Sequence, residues 1–197
     1  MPYIYYSLTK RKKIFKCILC LQPSLKIICN NCQKNFLIPD PKIKDGAVSF
    51  YDYAEIESLI RMKYSKFGHR VYKILAENSL KLFAKTIEED LFVIPVDDKT
   101  EKGYSHTAVL AHAMKTGRLT PLYGVLHAGN TVKYAAKSLT FRLENPRNFT
   151  YKGKKGIKVI LVDDVITTGL TLDEAEECLK KHGVSVVLKA VLCDLRR

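Results

Sequence analysis

The amino-acid sequence predicts an α/β protein in which a mostly parallel sheet is flanked by helices and preceded by a small N-terminal zinc module with four cysteines. From residue 45 onward, apolar segments of strand length alternate with segments whose apolar residues recur at helical spacing. Two C-x-x-C pairs lie in the first 44 residues. We therefore divide the 197-residue chain into a basic zinc-binding module, residues 1–44, and an α/β domain, residues 45–197.

Positive charge is concentrated in the N-terminal module. The chain has a formal net charge of +13, and its first 44 residues hold nine Lys or Arg residues and one acid, which gives that segment a charge of +8. A surface of this kind attracts polyanions at long range. The charge therefore indicates nucleic acid, anionic lipid or phosphorylated small molecules as partners.

The apolar segments of the chain are too short to cross a membrane. Lysines interrupt the longest of them, and none approaches the roughly 18 uninterrupted apolar residues of a membrane span or the layout of a signal peptide. We expect a soluble, cytoplasmic protein without a transmembrane segment.

The four N-terminal cysteines are spaced like the ligands of one metal ion. They are Cys17, Cys20, Cys29 and Cys32, with eight residues between the two pairs. Four thiolates complete a tetrahedral structural zinc site. Disulfides are the alternative, which a reducing cytoplasm disfavours. Cys178 and Cys193 lie in a predicted helix and a predicted strand, where we expect them to be buried as small apolar side chains.

Aromatic residues alternate with cationic residues in the same module. The candidate DNA-binding residues here are Tyr5, Arg11, Lys12, Lys13, Phe15 and Lys16. A surface that combines cations with aromatic rings suits single-stranded DNA, because the cations contact the phosphates while the bases stack on the rings. In the alternative interpretation, the aromatic residues only pack against the zinc site.

The first half of the α/β domain begins with a strand and two helices. The segment "AVSFYDY" from residue 47 is rich in β-formers, and the apolar residues of 53–60 and of 71–82 recur at helical spacing. The continuous apolar run "LFVIPV" at 91–96 predicts a strand that is buried on both faces. A helix around 109–114 and a strand near 119–126 follow.

The second half of the domain contains a helix at 130–139 and a polar connection, "RLENPRNFTYKGKKG". It ends with a βαβ unit: the strand of "KVILVDDVITTGLT" from residue 158, a helix over 172–182 ended by Gly183, and the strand "VSVVLKAVL". Strands that alternate with helices indicate a mostly parallel sheet, and ligands of such sheets bind beyond the carboxyl ends of the strands.

The strand that begins at residue 158 ends on two adjacent acids, Asp163 and Asp164. Neighbouring carboxylates repel each other and are costly to bury, so stability alone does not account for them. Thr171 is placed to cap the next helix, with Glu174 completing a capping box. The turn before it then presents backbone N–H groups to an anion, while the acids accept hydrogen bonds from hydroxyls or hold a hydrated Mg²⁺. A phosphorylated sugar offers both kinds of group.

Other nucleotide-binding motifs are missing from the sequence. A P-loop ATPase requires G-x-x-x-x-G-K-[ST], but the glycines with that spacing, Gly124 and Gly129, are followed by Asn130. No G-x-G-x-x-G fingerprint of a dinucleotide-binding fold occurs either.

The stretch "VILVDDVITTGLT" closely resembles the thirteen-residue signature of type I phosphoribosyltransferases. The resemblance implies a type I phosphoribosyltransferase-like fold that binds phosphoribosyl pyrophosphate (PRPP) with Mg²⁺. It implies that Asp163 and Asp164 contact the ribose hydroxyls and that a loop wraps the 5-phosphate. The implied PRPP-binding segment is Asp163, Asp164, Val165, Ile166, Thr167, Thr168, Gly169, Leu170 and Thr171.

The whole chain is similar to the ComF family of competence proteins. The cysteine module, "LIRMKYSKFG", "VIPVD", "KGYSH" and "RLENPRNF" occur in that family's order. Lys63 and Tyr64 match the pyrophosphate-side turn, and Arg142 is an implied phosphate or DNA contact. In the loop where the family usually has R-G-F-N-Q, this chain has Lys102, Ser105 and His106. Lysine does not grip a diphosphate in the bidentate manner of arginine.

The ComF resemblance implies a DNA-uptake factor for natural transformation. Such a protein handles incoming single-stranded DNA at the cytoplasmic face of the inner membrane, with the uptake channel or a helicase as partners. A different class of function, a metabolic phosphoribosyltransferase of nucleotide salvage, is the alternative. The resemblance names neither a phosphoribosyl acceptor nor a catalytic residue.

Overall fold

The computed structural model describes residues 15–97, 100, 103–130 and 139–196; of Phe15, Leu139, Arg142 and Leu143 it describes only the backbone. The chain divides into two compact units, Met1–Pro39 and Asp40–Arg197. The predicted domain boundary after Lys44 falls a few residues beyond this division.

The first unit contains a short hairpin and one helix. Strand β1 (Phe15–Lys16) pairs antiparallel with β2 (Pro23–Ser24), and α1 spans Asn30–Phe36. Cys29 caps α1, because its side chain accepts a hydrogen bond from the backbone N–H of Cys32. The hairpin and the start of the helix therefore bring the two C-x-x-C segments together.

The second unit alternates strands and helices. Its elements are β3 (Lys42–Lys44), β4 (Ala47–Tyr51), α2 (Tyr53–Ile60), a 3₁₀ turn (Arg61–Tyr64), α3 (Gly68–Asn78), α4 (Leu80–Ala84), β5 (Leu91–Pro95), α5 (His106–Ala113), β6 (Leu119–Pro121), β7 (Leu126–Ala128), α6 (Leu139–Glu144), β8 (Phe149–Tyr151), β9 (Lys158–Ile166), α7 (Leu170–Lys181) and β10 (Ser185–Asp194).

A six-stranded sheet has the order β3-β4-β10-β9-β5-β6. Strands β4, β10, β9, β5 and β6 pair in parallel, and β3 joins one edge antiparallel to β4. The mostly parallel α/β fold predicted from the sequence is thus confirmed. Strands β7 and β8 form a separate antiparallel ribbon.

The central strand β9 is covered on both faces. Its residues 159–162 are fully buried, as a continuous apolar run in a parallel sheet predicts. On one side Val159 and Leu161 pack with Ile94 of β5 and with Leu172 and Leu179 of α7. The core therefore fixes the position of the polar residues that follow at the carboxyl end of β9.

Two local predictions were wrong. Helix α7 begins at Leu170, before the predicted Thr171 cap, because Gly169 adopts a left-handed conformation (φ 88°) and its carbonyl accepts from Asp173 N at 3.0 Å. Glu174 completes no capping box, since it accepts from the backbone N–H of Arg147 at 2.6 Å. The predicted polar connection contains strand β8, which pairs with β7.

The predicted helix at 130–139 lies almost entirely outside the described residues. Among the helices of the described ranges, none is both long enough and apolar enough to cross a membrane.

Candidate functional site

The sulfur atoms of Cys17, Cys20, Cys29 and Cys32 lie within 4.8 Å of one another in the first unit. None of these cysteines is bridged by a disulfide, and the sulfurs of Cys20 and Cys29 are 3.7 Å apart. Tetrahedral zinc–thiolate bonds of about 2.3 Å place two sulfurs about 3.8 Å apart. The four sulfurs are therefore positioned to hold one zinc ion, as the spacing predicted.

Backbone N–H groups point at the cysteine sulfurs. Cys29 N donates to the sulfur of Cys17 at 3.3 Å, and Cys32 N donates to the sulfur of Cys29 at 3.4 Å. Burial opposes ionisation of Cys17, but backbone hydrogen bonds outweigh it and lower the pKa of this thiol to about 6. These donors stabilise the thiolate form of Cys17, whereas burial and the neighbouring cysteines raise the pKa of Cys32. A bound metal ion favours the thiolate form of all four, so the four sulfurs fit a zinc ion.

Cys178 and Cys193 are buried in the second unit, as predicted. Burial raises the pKa of both thiols, that of Cys193 to about 12. They are therefore neutral thiols, and neither belongs to the four-cysteine cluster.

In the second unit, Asp163 and Asp164 lie near the carboxyl end of β9, in the middle of the sheet. Asp164 is buried, with 5% of its surface exposed, whereas Asp163 is partly exposed. Asp163 Oδ1 accepts the backbone N–H of Asp164 at 2.8 Å. The two acids thus differ in environment although they are adjacent in sequence.

Asp164 is held by donors from three elements. Its Oδ2 lies 3.0 Å from Lys63 Nζ, 2.9 Å from the Tyr72 hydroxyl and 3.8 Å from His106 Nε2. Burial alone would raise the pKa of Asp164, but Lys63 and His106 lower it to about 2. The same contact raises the pKa of Lys63 above its ordinary value although burial opposes this. Asp164 and Lys63 therefore form a buried ion pair.

The pKa of Asp163 is shifted in the opposite direction to that of Asp164. Burial and the neighbouring charge of Asp164 raise its pKa, and the backbone N–H of Asp164, Lys63 and Arg147 only partly offset them. Its carboxylate has no direct ion pair among those found between described residues. Asp163 is therefore the member of the pair on which an added cation or hydroxyl donor acts most favourably.

The segment that follows β9 forms an exposed loop at the start of α7. Thr167 and Thr168 are exposed, Gly169 adopts its left-handed conformation, and Thr171 lies in the first turn of the helix. We call Thr167–Thr171 the phosphate loop. Because the first N–H groups of a helix lack intrahelical partners, this loop is suited to an anion.

Lys63 lies in the 3₁₀ turn before α3, where close packing fixes it. The Tyr104 hydroxyl donates to the carbonyl of Lys63. A Cβ atom on Gly68 would lie 2.8 Å from that carbonyl and would also clash with Tyr104 and Met62, so only glycine fits. Tyr64 is exposed, with the Lys63 ammonium 5.4 Å from its ring centroid.

Sequence reasoning missed two residues of this site, Tyr72 and Arg147, which were not singled out. His106 was noted, but as a residue of the "KGYSH" loop. In the structure His106 is the first residue of α5, which Ser105 caps by accepting from Ala108 N at 3.1 Å. The ligand atoms of His106, Asp163 and Asp164 lie within 4.8 Å of one another.

The predicted DNA-binding residues are mostly outside the described part of the chain. Tyr5, Arg11, Lys12 and Lys13 belong to the undescribed N-terminal residues, as Lys102 belongs to an undescribed loop. The side chains of Phe15 and Arg142 are likewise not described, and Lys16 is exposed in β1.

The fold and the site together define an α/β domain whose central strand leads from a carboxylate pair into an exposed loop at the start of a helix. The chain belongs to the phosphoribosyl transferase domain family, whose model matches residues 69–197. It is also similar to competence protein ComFC of Bacillus subtilis (strain 168), at 28% identity over 91% of this chain and 78% of that protein. The ComF resemblance seen in the sequence is thereby confirmed.

Other similar proteins match over shorter lengths or at lower identity. An orotate phosphoribosyltransferase of Brucella ovis is 42% identical over 40 residues, 20% of this chain and 21% of that protein. The structure of Leishmania donovani UMP synthase aligns with 83% of this chain at 18% identity and a TM-score of 0.40. This chain spans 31% of that structure's chain.

Proposed function

We propose that the second unit binds phosphoribosyl pyrophosphate at the carboxyl end of β9. The observation that carries this proposal is the direct succession of a buried central strand, two carboxylates and an exposed phosphate loop at the start of α7. The spacing suits a sugar with vicinal hydroxyls at one end and a phosphate at the other.

Each residue has a distinct task in this proposal. Asp163 accepts hydrogen bonds from the ribose hydroxyls, and the backbone N–H groups of Thr167–Thr171 donate to the 5-phosphate. Lys63, in the turn before α3, supplies a positive charge on the pyrophosphate side while its contact with Asp164 fixes its position. Tyr64 is an exposed neighbour in that turn.

The carboxylate pair also fits a Mg²⁺ ion. Mg²⁺ prefers oxygen ligands and retains several waters, and Asp163 with the remaining oxygen of Asp164 offers such ligands. The ion, when bound with PRPP, neutralises the pyrophosphate. The imidazole of His106 is a poorer ligand for Mg²⁺, so we assign it no metal-binding task.

We further propose that the protein is a competence-associated DNA-uptake factor that handles single-stranded DNA. Its net charge of +13, the basic N-terminal segment and the similarity to competence protein ComFC support this. In this proposal the zinc module displays the cations and aromatic residues of the N-terminal segment, and the PRPP site serves ligand sensing or phosphoribosyl transfer.

A salvage phosphoribosyltransferase is the second candidate function. The local similarity to an orotate phosphoribosyltransferase favours it. Transfer of the phosphoribosyl group to a free nucleobase, with release of pyrophosphate, would support this candidate over a DNA-handling protein without such activity.

Calorimetric titration of PRPP into the purified protein, with and without Mg²⁺, tests the site. We expect Mg²⁺-dependent binding, because the cation favours the ionised form of Asp163. Asp163→Asn should weaken this binding by roughly 10- to 100-fold, because hydrogen bonds to a charged group contribute about 1.5–3 kcal/mol. Asp90→Asn is the matched control, since Asp90 is exposed and pairs only with Arg118 in the described structure.

The control should bind like the wild type. Equal affinity of Asp163→Asn and wild type, or no binding by the wild type when Mg²⁺ is present, would contradict the proposed site.

A further inference from the structure

A second concave surface lies beside the carboxylate site, in the same unit. It is an open cleft of about 860 Å³ between α3 and α4 on one side and α5 on the other. His69, Lys73 and Glu77 follow one another at four-residue spacing along α3, and Lys81 continues the line in α4. At 1.5 Å per helical residue this line is up to about 18 Å long. We call this surface the α3–α5 cleft, and it is elongated rather than round.

The charged side chains that line the cleft are mainly basic. Lys73, Lys81 and Lys115 line it together with two histidines, and Glu77 is the one acid among the described lining residues. Lys73 and Glu77 are 3.9 Å apart and both well exposed, so their ion pair contributes little and leaves the lysine able to contact another anion. The charge thus favours an anionic ligand over a neutral or cationic one.

Aromatic rings lie among these cations. The ring of Tyr123 is 45% exposed, and its hydroxyl is 3.2 Å from His112 Nδ1. Tyr104 packs edge-to-face on His69, with 6.0 Å between ring centroids. Ala108 and Ala113 of α5, which have small side chains, also line the cleft.

We infer that the α3–α5 cleft binds the backbone and bases of single-stranded DNA. Lys73, Lys81 and Lys115 beside the exposed ring of Tyr123 suit a strand whose phosphates repeat and whose bases are unpaired. An acidic peptide would use the lysines but would gain little from the rings. This inference rests on the proposed DNA-handling function and places the strand on the phosphoribosyltransferase-like unit, in addition to the N-terminal module.

The cleft adjoins the carboxylate site through one short segment. Tyr104 and Ser105 line the cleft, and the next residue, His106, lies 3.8 Å from Asp164. The hydroxyl of Tyr104 also donates to the carbonyl of Lys63. A strand in the cleft would therefore run alongside the PRPP site without occupying it.

Fluorescence titration of a labelled oligothymidylate with the full-length protein, at several salt concentrations, tests this inference. The variant carries Lys73→Gln, Lys81→Gln and Lys115→Gln. The control carries Lys152→Gln, Lys155→Gln and Lys180→Gln, three exposed lysines that do not line the cleft, and has the same net charge. A further variant, Tyr123→Leu, removes a ring but no charge.

We expect the cleft variant to bind more weakly than the control and to reduce the slope of log affinity against log salt by about 2, at about 0.7 per phosphate contact. Tyr123→Leu should weaken binding by roughly 5- to 100-fold at every salt concentration and leave the slope unchanged. Equal thermal midpoints of the variants will show that the fold is intact.

Each contrary result has a separate meaning. If the wild type binds DNA and the cleft variant matches the control, the inference is wrong while the proposed function stands. If the wild type does not bind at low salt, the DNA part of the proposed function fails and the inference with it. Equally tight binding of a single nucleotide, or equal competition by polyglutamate, would also overturn the inference.

Discussion

Replacing the two adjacent carboxylates one at a time should move the stability of the metal-free protein in opposite directions. Asp164→Asn removes the negative partner of Lys63, whereas Asp163→Asn removes a carboxylate without a direct cationic partner among the described ion pairs. Mutual repulsion alone would predict that both substitutions stabilise the fold. The buried pair between Lys63 and Asp164 leads us to a different expectation.

The magnitude for Asp164 follows from its lowered pKa. Lys63 and His106 outweigh the effect of burial and lower this pKa from 3.8 to about 2. A shift of about two units corresponds to about 2–3 kcal/mol of stability at neutral pH, which is lost as the pH falls from about 4 toward 2. Asp164→Asn should therefore destabilise the fold by about 2–3 kcal/mol, because asparagine leaves the Lys63 ammonium without its counter-charge.

For Asp163 the expected effect of the substitution on stability has the opposite sign. Burial and the charge of Asp164 raise its pKa from 3.8 to about 8. Between these values the folded state binds a proton more tightly than the unfolded state, so stability falls as the pH rises. Asp163→Asn should therefore match the wild type near pH 4 and be the more stable protein at pH 8.

Urea unfolding in the presence of a chelator, at several pH values, measures both effects. Each substitution is the control for the other, because the two sites are adjacent and the chemical change is identical. A double-mutant cycle with Lys63→Met should give a coupling energy of at least about 1 kcal/mol with Asp164→Asn. Equal shifts of the two asparagine variants, or a cycle with no coupling, would refute the reasoning.

Two further predictions concern the N-terminal unit. Purified protein should contain one zinc ion per chain. Cys29→Ser should lose the zinc ion, while Cys193→Ser, outside the cluster, should retain it. Metal analysis by mass spectrometry measures the zinc content, and two disulfides without metal would contradict the prediction. Charge reversal of Arg11–Lys13 should flatten the salt dependence of single-stranded DNA binding, because fewer phosphates are neutralised; an unchanged slope in a titration would remove these residues from the DNA-binding surface.

Much of the fold followed from local sequence pattern. The apolar run of β9 predicted a buried central strand, and the alternation of strands and helices predicted the parallel sheet. The same run predicted that the strand ends on Asp163 and Asp164, whereas β9 continues through them to Ile166. Local pattern was sufficient because a strand that is buried on both faces is apolar at successive positions, as residues 159–162 are.

The environment of the acid pair could not be predicted in this way. Lys63 and Tyr72 reach Asp164 across 101 and 92 positions of the chain, and no local pattern encodes such contacts. The start of α7 was misplaced because Thr171 has the residue type of a cap, whereas the left-handed Gly169 starts the helix earlier. Strand β8 was missed because its three residues are recognisable only through their pairing with β7.

The two edges of the main sheet bear on how this protein avoids aggregation. Edge strand β6 has only three residues and ends in Pro121, which has no N–H to donate to another strand. At the opposite edge, β3 places Ile43, 76% exposed, between Lys42 and Lys44. Short length, proline and flanking lysines all disfavour edge-to-edge association. The apolar central strands are therefore flanked by edge strands that do not favour pairing with further copies of the chain. This arrangement disfavours the growth of fibrils.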